Sequence, residues 1–238
     1  MLRATAVAGL VLAGAATAQA QIRRVDPPRQ AISFNLGYFA LRGEDSRADG
    51  DVLLADLSDI EPLAFEVDDF NGFTFGGEWL FPLGEYLEGG VGIGFYQRGV
   101  DSVYDDVVSE NGAEIEQELK LRVIPMSATV RFLPAGRGSV QPYIGAGIGA
   151  FNWRYSEVGE FVDTFDYSIF RARYVADGTT VGPVILGGIR FPVADVWTVG
   201  GEFRWQKAEG EFDEDSDLLG DRIDLGGWST NFTFALRF

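Results

Sequence analysis

The 238-residue chain contains no cysteine and no histidine, and these two absences exclude several kinds of chemistry. Without cysteine there is no disulfide framework and no thiol nucleophile. Without histidine there is no Ser-His pair and no histidine-based zinc site. A hydrolase that uses two carboxylates stays formally open, but no pair of acids is singled out by its spacing. We therefore expect a protein that is not an enzyme, with no catalytic residues and no cofactor.

Basic residues are also scarce. There are 19 lysines and arginines against 36 aspartates and glutamates, which gives a net charge of −17. Nucleic-acid binding needs a basic surface that neutralises phosphates. We therefore expect no nucleic-acid partner.

Long hydrophobic runs are missing after the N-terminus. Residues 1–20 (MLRATAVAGLVLAGAATAQA) combine one basic residue, an apolar run and a small-residue end, which predicts a secretory signal peptide cleaved after Ala20. A buried N-terminal helix is the alternative, which these flanks disfavour. Residues 21–30 (QIRRVDPPRQ) are interpreted as a periplasmic lead-in. No later stretch approaches the roughly 20 apolar residues of a membrane helix, so a membrane role requires strands.

Eight segments show the alternation of apolar and polar residues that is typical of strands. They are residues 31–41, 70–82, 87–98, 117–133, 140–154, 181–191, 196–207 and 225–238. Short proline-led connections alternate strictly with long ones (42–69, 99–116, 155–180 and 208–224). Outer-membrane barrels have short periplasmic turns and long external loops. The pattern therefore predicts an all-β fold over residues 31–238, an eight-stranded antiparallel up-and-down transmembrane β-barrel.

Charge and aromatic residues divide in the same way. The four long connections hold 29 of the 36 acidic residues, although a solvated surface alone explains such runs. Aromatic residues mark the short-turn ends of the strands at Trp79, Phe81, Tyr86, Phe132, Tyr143, Phe191, Trp197 and Phe238. A second group marks the long-loop ends at Tyr38, Phe39, Phe73, Phe95, Phe151, Trp153, Trp205 and Trp228. Two such bands favour membrane girdles over a soluble sandwich core.

The last strand, GGWSTNFTFALRF, keeps its alternation up to Phe238. Two further strands have the sequences VQPYIGAGIGA and LRVIPMSATVRF. With these three strands the chain resembles small outer-membrane β-barrel proteins of the OmpA and OmpW type, over essentially all of residues 31–238. The resemblance implies a cell outer-membrane location, contact with outer-membrane lipids and lipopolysaccharide, and a terminal strand read by the barrel-assembly machinery. By that analogy Phe232, Phe234 and Phe238 form the assembly signal. No peptidoglycan-binding domain follows the barrel pattern, and we expect a monomer.

Strand parity predicts a set of charged side chains that point into the lumen. They are Glu78, Glu88, Glu118, Lys120, Arg122, Arg131, Arg190, Glu202, Arg204 and Arg237. An eight-stranded barrel is only wide enough to be filled by side chains, so these charges must pair. A structural plug is the favoured reading, and a gate for ions is the alternative. Inward glycines at 90, 92, 94, 145, 147 and 149 either make room for long side chains or leave a small cavity.

The fourth strand breaks its own parity. Leu119, Leu121 and Val123 are odd-numbered, whereas the apolar residues that follow are even-numbered. Because proline cannot donate a ladder hydrogen bond, we expect a wall bulge at Ile124 and Pro125. Such a bulge either bends the wall or, as the resemblance to OmpW-like barrels implies, opens a lateral passage. A narrow conduit for small, apolar molecules is therefore the functional alternative to a closed, surface-displaying barrel.

The last long connection contains EFDEDSDLLGD, in which Asp213, Asp215 and Asp217 have the spacing of a calcium loop. The sixth position is Leu218 instead of glycine, so the match is incomplete. Looser bridging of these acids to lipopolysaccharide through divalent cations is the alternative.

Overall fold

The computed structural model describes residues 29–109, 112–163, 166–213 and 215–238. The expected signal peptide, residues 1–20, and residues 21–28 of the expected lead-in lie outside the described residues. One short helix, α1 (Val52–Ser58), lies between the first two strands. No helix in the described part of the chain is long and apolar enough to cross a membrane.

Eight strands form a closed antiparallel barrel, which confirms the predicted fold. They are β1 (Ala31–Leu41), β2 (Gly72–Pro82), β3 (Leu87–Val108), β4 (Glu114–Phe132), β5 (Gln141–Val162), β6 (Ile169–Pro192), β7 (Trp197–Gln206) and β10 (Gly227–Arg237). The first and last strands close the ring, with Ala31 opposite Arg237 and Leu41 opposite Gly227. A separate two-stranded sheet, β8 (Glu209–Glu211) with β9 (Arg222–Asp224), belongs to the last long connection.

Four strands are longer than the sequence pattern predicts. Residues 99–116 and 155–180, expected to be loops, are mostly the upper parts of the β3–β4 and β5–β6 hairpins. Their outer faces carry charged and polar residues, for example Arg122 on β4 and Asp177 on β6. Hydrophobic alternation ends where the outer face becomes polar, but backbone pairing continues beyond that level. The sequence pattern therefore predicts strands that stop short of the true ends of these hairpins, on the side of the long connections.

The inner and outer faces exchange their chemistry along the barrel. Near the short turns, the inner face of β4 carries Ser127, Thr129 and Arg131, and its outer face carries apolar residues such as Val130. Near the long connections, Leu119 and Leu121 are buried inside, and the outer face is charged. An apolar outer face suits lipid, and an apolar inner face with a charged outer face suits water.

This exchange corrects the predicted bulge. The register of β4 with β5 runs unbroken through Ile124 opposite Asn152 and Pro125 opposite Phe151. On its other side β4 follows one register with β3 from Leu87–Phe132 to Val103–Glu116, and the register shift lies higher, between Val103 and Val108. The apolar residues of β4 move from odd-numbered to even-numbered positions because they face the interior in the upper barrel and the outside in the lower barrel. The strand itself keeps its register.

A belt of exposed apolar side chains surrounds the half of the barrel near the short turns. Its members include Phe34, Leu36, Phe75, Val91, Ile93, Val130, Ile144, Ile148, Val181, Ile185, Phe203 and Phe232. The aromatic prediction is correct for most outward positions, including Trp79 and Trp228, which are each 47 % exposed. It is wrong for Phe39, Tyr143, Phe151 and Trp153, which are buried inside the barrel.

Candidate functional site

The interior of the barrel is closed at two levels, and these levels are the candidate functional site. Near the short turns, buried charges pair across the lumen. Near the long connections, an apolar cluster fills the barrel and is covered by α1 and neighbouring segments. Each level uses side chains from several strands, so each depends on closure of the ring.

The first group of the lower level is centred on Arg131 of β4. Its Nη2 lies 2.6 Å from Glu78 Oε2 on β2 and 2.9 Å from Glu202 Oε2 on β7. Arg204 Nη2 lies 3.1 Å from Glu202 Oε1, and the Tyr143 hydroxyl donates to Glu202 Oε2 at 3.0 Å. Two carboxylates that share one guanidinium nitrogen therefore tie three strands together across the lumen.

A second group lies closer to the short turns. Glu88 on β3 accepts from Arg190 Nη2 on β6 at 2.8 Å and from Arg137 Nη1 at 3.2 Å. The ring of Tyr143 separates the two groups, with the Arg190 and Arg131 guanidinium carbons 4.7 Å and 5.4 Å from its centroid. Cations above an aromatic face are electrostatically attracted to it. Tyr143 therefore joins the two groups into one layer.

Inward glycines make room for this layer. A Cβ placed on Gly90 would lie 2.5 Å from Glu78 Oε1 and 2.7 Å from Arg131 Nη1. A Cβ on Gly145 would lie 3.0 Å from Arg131 Cγ and 2.7 Å from the Val130 carbonyl oxygen. These small residues therefore accommodate the long charged side chains, which is the first of the two roles that the sequence left open.

The space enclosed between the two levels is small. A cavity of about 50 Å³ lies between the charged layer and the apolar cluster, beside Glu78, Ser127, Arg204 and Asn231. This volume suits a few water molecules bonded to polar walls. It is too small for a drug-sized ligand, which occupies a pocket of about 300 Å³ or more.

The upper level is an apolar plug formed by strands and connecting segments together. Leu53 of α1 and Phe70 of the first long connection are fully buried against Leu119, Leu121 and other residues of the upper barrel. Tyr96 of β3 donates its hydroxyl to the Phe70 carbonyl oxygen, which ties the connection to the wall. Burial of this apolar surface stabilises the covered state.

A buried ionic latch links the first and last long connections above the plug. Arg47 Nε lies 2.8 Å from Asp51 Oδ1, and Arg47 Nη2 donates to the Asp224 carbonyl oxygen at 2.9 Å. The Asp224 amide donates to Asp51 Oδ2 at 2.5 Å, and Arg42 Nη1 pairs with Asp224 Oδ2 at 3.0 Å. Since both aspartates are completely buried, the two connections are held as one lid.

The structure brings together part of the predicted lumen network. Glu78, Glu88, Arg131, Arg190 and Glu202 lie in the charged layer, and Arg204 lies at its upper edge. Arg237, near the short turns, donates to the Ala194 carbonyl oxygen at 3.1 Å.

Glu118, Lys120 and Arg122 correct the prediction, because they lie on the outer face of upper β4. Glu118 and Lys120 pair there at 2.9 Å with side chains that are 48 % and 42 % exposed. The prediction took the apolar residues of every strand to face outward. In the upper half of β4 the apolar residues face inward, so the charged residues between them face outward. Sequence reasoning also missed Arg137 and Tyr143, which lie in or beside short connections without a marked pattern.

The remaining predicted positions lie on the surface. Phe232, Phe234 and Phe238 point outward from β10 or beyond its end, with exposed fractions of 59 %, 37 % and 61 %. Asp213, Asp215 and Asp217 are exposed in the last long connection. Among the described residues, no cluster of three acidic side chains could hold a metal ion.

No protein-family model and no curated protein matches the chain. Among solved structures, it is similar to the outer membrane protein OprG from Pseudomonas aeruginosa (10 % identity, 89 % of this chain and 96 % of that chain, TM-score 0.48). It is also similar to Neisserial surface protein A (12 %, 88 % and 97 %, TM-score 0.47). A third similar structure is the outer membrane protein W of E. coli (14 %, 89 % and 99 %, TM-score 0.39). Small outer-membrane β-barrels are the class that the strand pattern of this chain resembles.

Proposed function

We propose that this protein is an integral β-barrel of the bacterial outer membrane that is closed to solutes and displays acidic segments at the cell surface. The observation that carries the proposal is the double closure of the lumen, in which a cavity of about 50 Å³ lies between the charged layer and the plug. A path for solutes would require both levels to open. Its role is therefore structural, and it needs no catalytic group.

The outer surface supports placement in a membrane. The exposed apolar belt covers the half of the barrel near the short turns, and the charged outer faces begin above it. A charge at the bilayer midplane of such a barrel costs roughly 2–4 kcal/mol, so the polar upper half belongs outside the lipid. This assigns the short turns to the periplasm and the long, acidic connections to the exterior.

The wall gives little support to a lateral conduit at Pro125. Gly94 faces the ring of this proline, and a Cβ on Gly94 would lie 3.0 Å from Pro125 Cγ. The proline ring therefore fills the space beside Gly94, which has no side chain of its own. On the other side β5 stays paired in register with β4 through Pro125 opposite Phe151.

Conductance in planar lipid bilayers tests the closed state. We expect the folded protein to show no steady channel current, because its charged layer and its plug both block the lumen. The purified protein should be inserted in parallel with a known porin as a positive control for insertion. Reproducible discrete channels in the unmodified protein would refute the proposed closed barrel.

A further inference from the structure

A second cavity lies above the plug, at the mouth of the barrel, and is separate from the closed lumen. It measures about 280 Å³ and lies among α1, the upper β3–β4 and β5–β6 hairpins and the last long connection. The strands here are above the apolar belt, because their outer faces carry Asn152, Arg154 and Asp177 at or below this level. The cavity is therefore exposed to the external medium and not to lipid.

One side of the cavity is aromatic. Tyr104 of β3, Phe161 of β5, and Phe170 and Tyr174 of β6 line it. The rings of Phe161 and Tyr174 meet edge to face at 4.7 Å between centroids, and Phe161 stacks on Phe170 at 6.0 Å. Aromatic faces carry negative charge density and attract cations.

The other side presents acceptor oxygens that lack partners. Gln117 Oε1 and Glu157 Oε1 are buried without a hydrogen-bond donor, and their residues are only 4 % and 5 % exposed. The Gln117 amide nitrogen is already committed, since it donates to the Tyr104 hydroxyl at 2.9 Å and to the Glu160 carbonyl oxygen at 3.1 Å. Its oxygen is therefore the atom left to meet a ligand. A buried acceptor without a donor is destabilising, so a donor that reached this oxygen from the cavity would be stabilising.

Charge in the cavity is entirely negative. Asp56, Asp59, Glu61, Glu157, Asp163 and Asp217 line it, and none of its described lining residues is basic. Asp56 accepts from the Tyr155 hydroxyl at 3.3 Å. Burial and the nearby Glu157 carboxylate raise the pKa of Asp56 to about 9, and burial raises the pKa of Glu157 to about 7. Asp56 and Glu157 are close enough to share a hydrogen bond, and a positive group beside this pair would favour the ionised form of both carboxyls.

We propose that this mouth cavity binds a small organic cation, with its ammonium group against Glu157, Asp56 and Gln117 and its apolar part against the aromatic rings. A bare metal ion fits less well, because no group of three acidic residues within the described ranges could hold one. The aromatic wall also offers no metal ligand other than the tyrosine hydroxyls. This binding does not require an open lumen, so it is independent of the proposed closed barrel.

Calorimetric titration of the folded protein with phenethylammonium tests the proposal. The protein should be kept in a maltoside detergent, because detergents with a quaternary ammonium headgroup would compete for the same cavity. At about pH 8 the amine is protonated and Glu157 is mostly ionised. We expect saturable binding, and at least tenfold weaker binding of 2-phenylethanol, which has the same ring and chain without the charge.

Variants locate the site. Glu157→Gln should weaken phenethylammonium binding at least tenfold, and Tyr174→Leu, on the half-exposed rim, should weaken it severalfold. Glu116→Gln is the matched control, since Glu116 is exposed on the outer face of β4. This variant should bind phenethylammonium as tightly as the unmodified protein. Near-ultraviolet circular dichroism should verify that each variant is folded. If Glu157→Gln does not fold, Tyr174→Leu and the alcohol comparison still decide the question.

Three results would overturn the proposal. The first is equal affinity for the amine and the alcohol, which would indicate an apolar pocket without cation recognition. The second is unchanged amine binding in both Glu157→Gln and Tyr174→Leu. The third is binding of calcium chloride, lost in Glu157→Gln, in a protein that does not bind the amine, which would indicate a metal site. Bilayer conductance is unaffected by any of these outcomes, so the closed barrel is tested separately.

Discussion

Arg131 and Glu202 meet at 2.9 Å inside the barrel, although 71 residues separate them in the chain. Both side chains are almost completely buried, at 2 % and 4 % exposed. Glu78 approaches the same guanidinium nitrogen from another strand. A single arginine therefore links β2, β4 and β7 through the centre of the lumen.

Replacement of Glu202 by alanine should destabilise the barrel. It removes one of two carboxylates that compensate Arg131 and the one that pairs with Arg204, and breaking a buried ion pair costs roughly 3–5 kcal/mol. Urea unfolding in lipid vesicles measures the change in the free energy of unfolding. Channel current should remain absent in bilayers, because the apolar plug still closes the upper barrel.

Glu118→Ala is the matched control for that experiment. Glu118 pairs with Lys120 on the outer face of β4, where an exposed ion pair contributes about 0–1 kcal/mol. Both variants replace a glutamate by alanine, one on the inner face of the barrel and the other on its outer face. Equal, small changes in the free energy of unfolding in both variants would show that Glu202 does not hold the charged layer together.

Asp56→Asn should change how the stability of the mouth depends on pH. Burial, the nearby Glu157 carboxylate and, to a smaller extent, Asp51 raise the pKa of the Asp56 carboxyl to about 9 in the folded state, although the hydrogen bond from Tyr155 lowers it. An acid whose folded pKa is raised binds more protons when folded, so stability falls as pH rises from about 4 through the folded pKa. We expect the unmodified protein to melt at a higher temperature at pH 5.5 than at pH 8.5.

Asparagine keeps the acceptor for the Tyr155 hydroxyl and removes the titration. The variant should therefore show a smaller difference in melting temperature between these two pH values, and higher stability at pH 8.5. Asp45→Asn, at an exposed position of the same long connection, is the control and should keep the pH dependence of the unmodified protein. A loss of stability with pH in Asp56→Asn as large as in the unmodified protein would exclude Asp56 as its cause.

Single cysteines can report the orientation of the barrel, because the native chain has none. Asp215→Cys lies in the last long connection, and Asp195→Cys lies in the short turn between β6 and β7; both aspartates are exposed. A membrane-impermeant maleimide should label the first in intact cells and the second only after lysis. The reverse pattern would invert the proposed topology.

Phe238→Ala tests the assembly signal that the resemblance implies. The Phe238 side chain is 61 % exposed, and its backbone amide donates to the Gln30 carbonyl oxygen at 2.9 Å, a bond that alanine keeps. We expect less protein in the outer membrane of cells, with little change in the stability of the refolded barrel. Phe73→Ala, at an aromatic position that is 76 % exposed outside the terminal strand, is the control. Equal membrane levels of both variants and the unmodified protein would refute the signal.

The sequence by itself determined the number of barrel strands, their order and the positions of the three short turns. Period-2 alternation identifies strands regardless of their partners, and β1 begins and ends where the pattern predicts, at Ala31 and Leu41. Alternating short and long connections imply neighbouring antiparallel strands, which is the observed order in the ring. Inward Glu78 and Arg131 were identified because the outer face is apolar at their level.

Only the tertiary structure decided which face is inside above the apolar belt. Alternation separates two faces but does not say which one faces water, and the assignment reverses for Glu118, Lys120 and Arg122 because the outer medium changes from lipid to water. The mouth cavity was likewise invisible, since Tyr155 and Asp56 lie 99 residues apart in the chain. Their meeting depends on how the first long connection folds into the barrel. Local alternation of apolar and polar residues therefore specifies the strands. Whether a charged side chain is buried depends on which distant residues the closed barrel brings next to it.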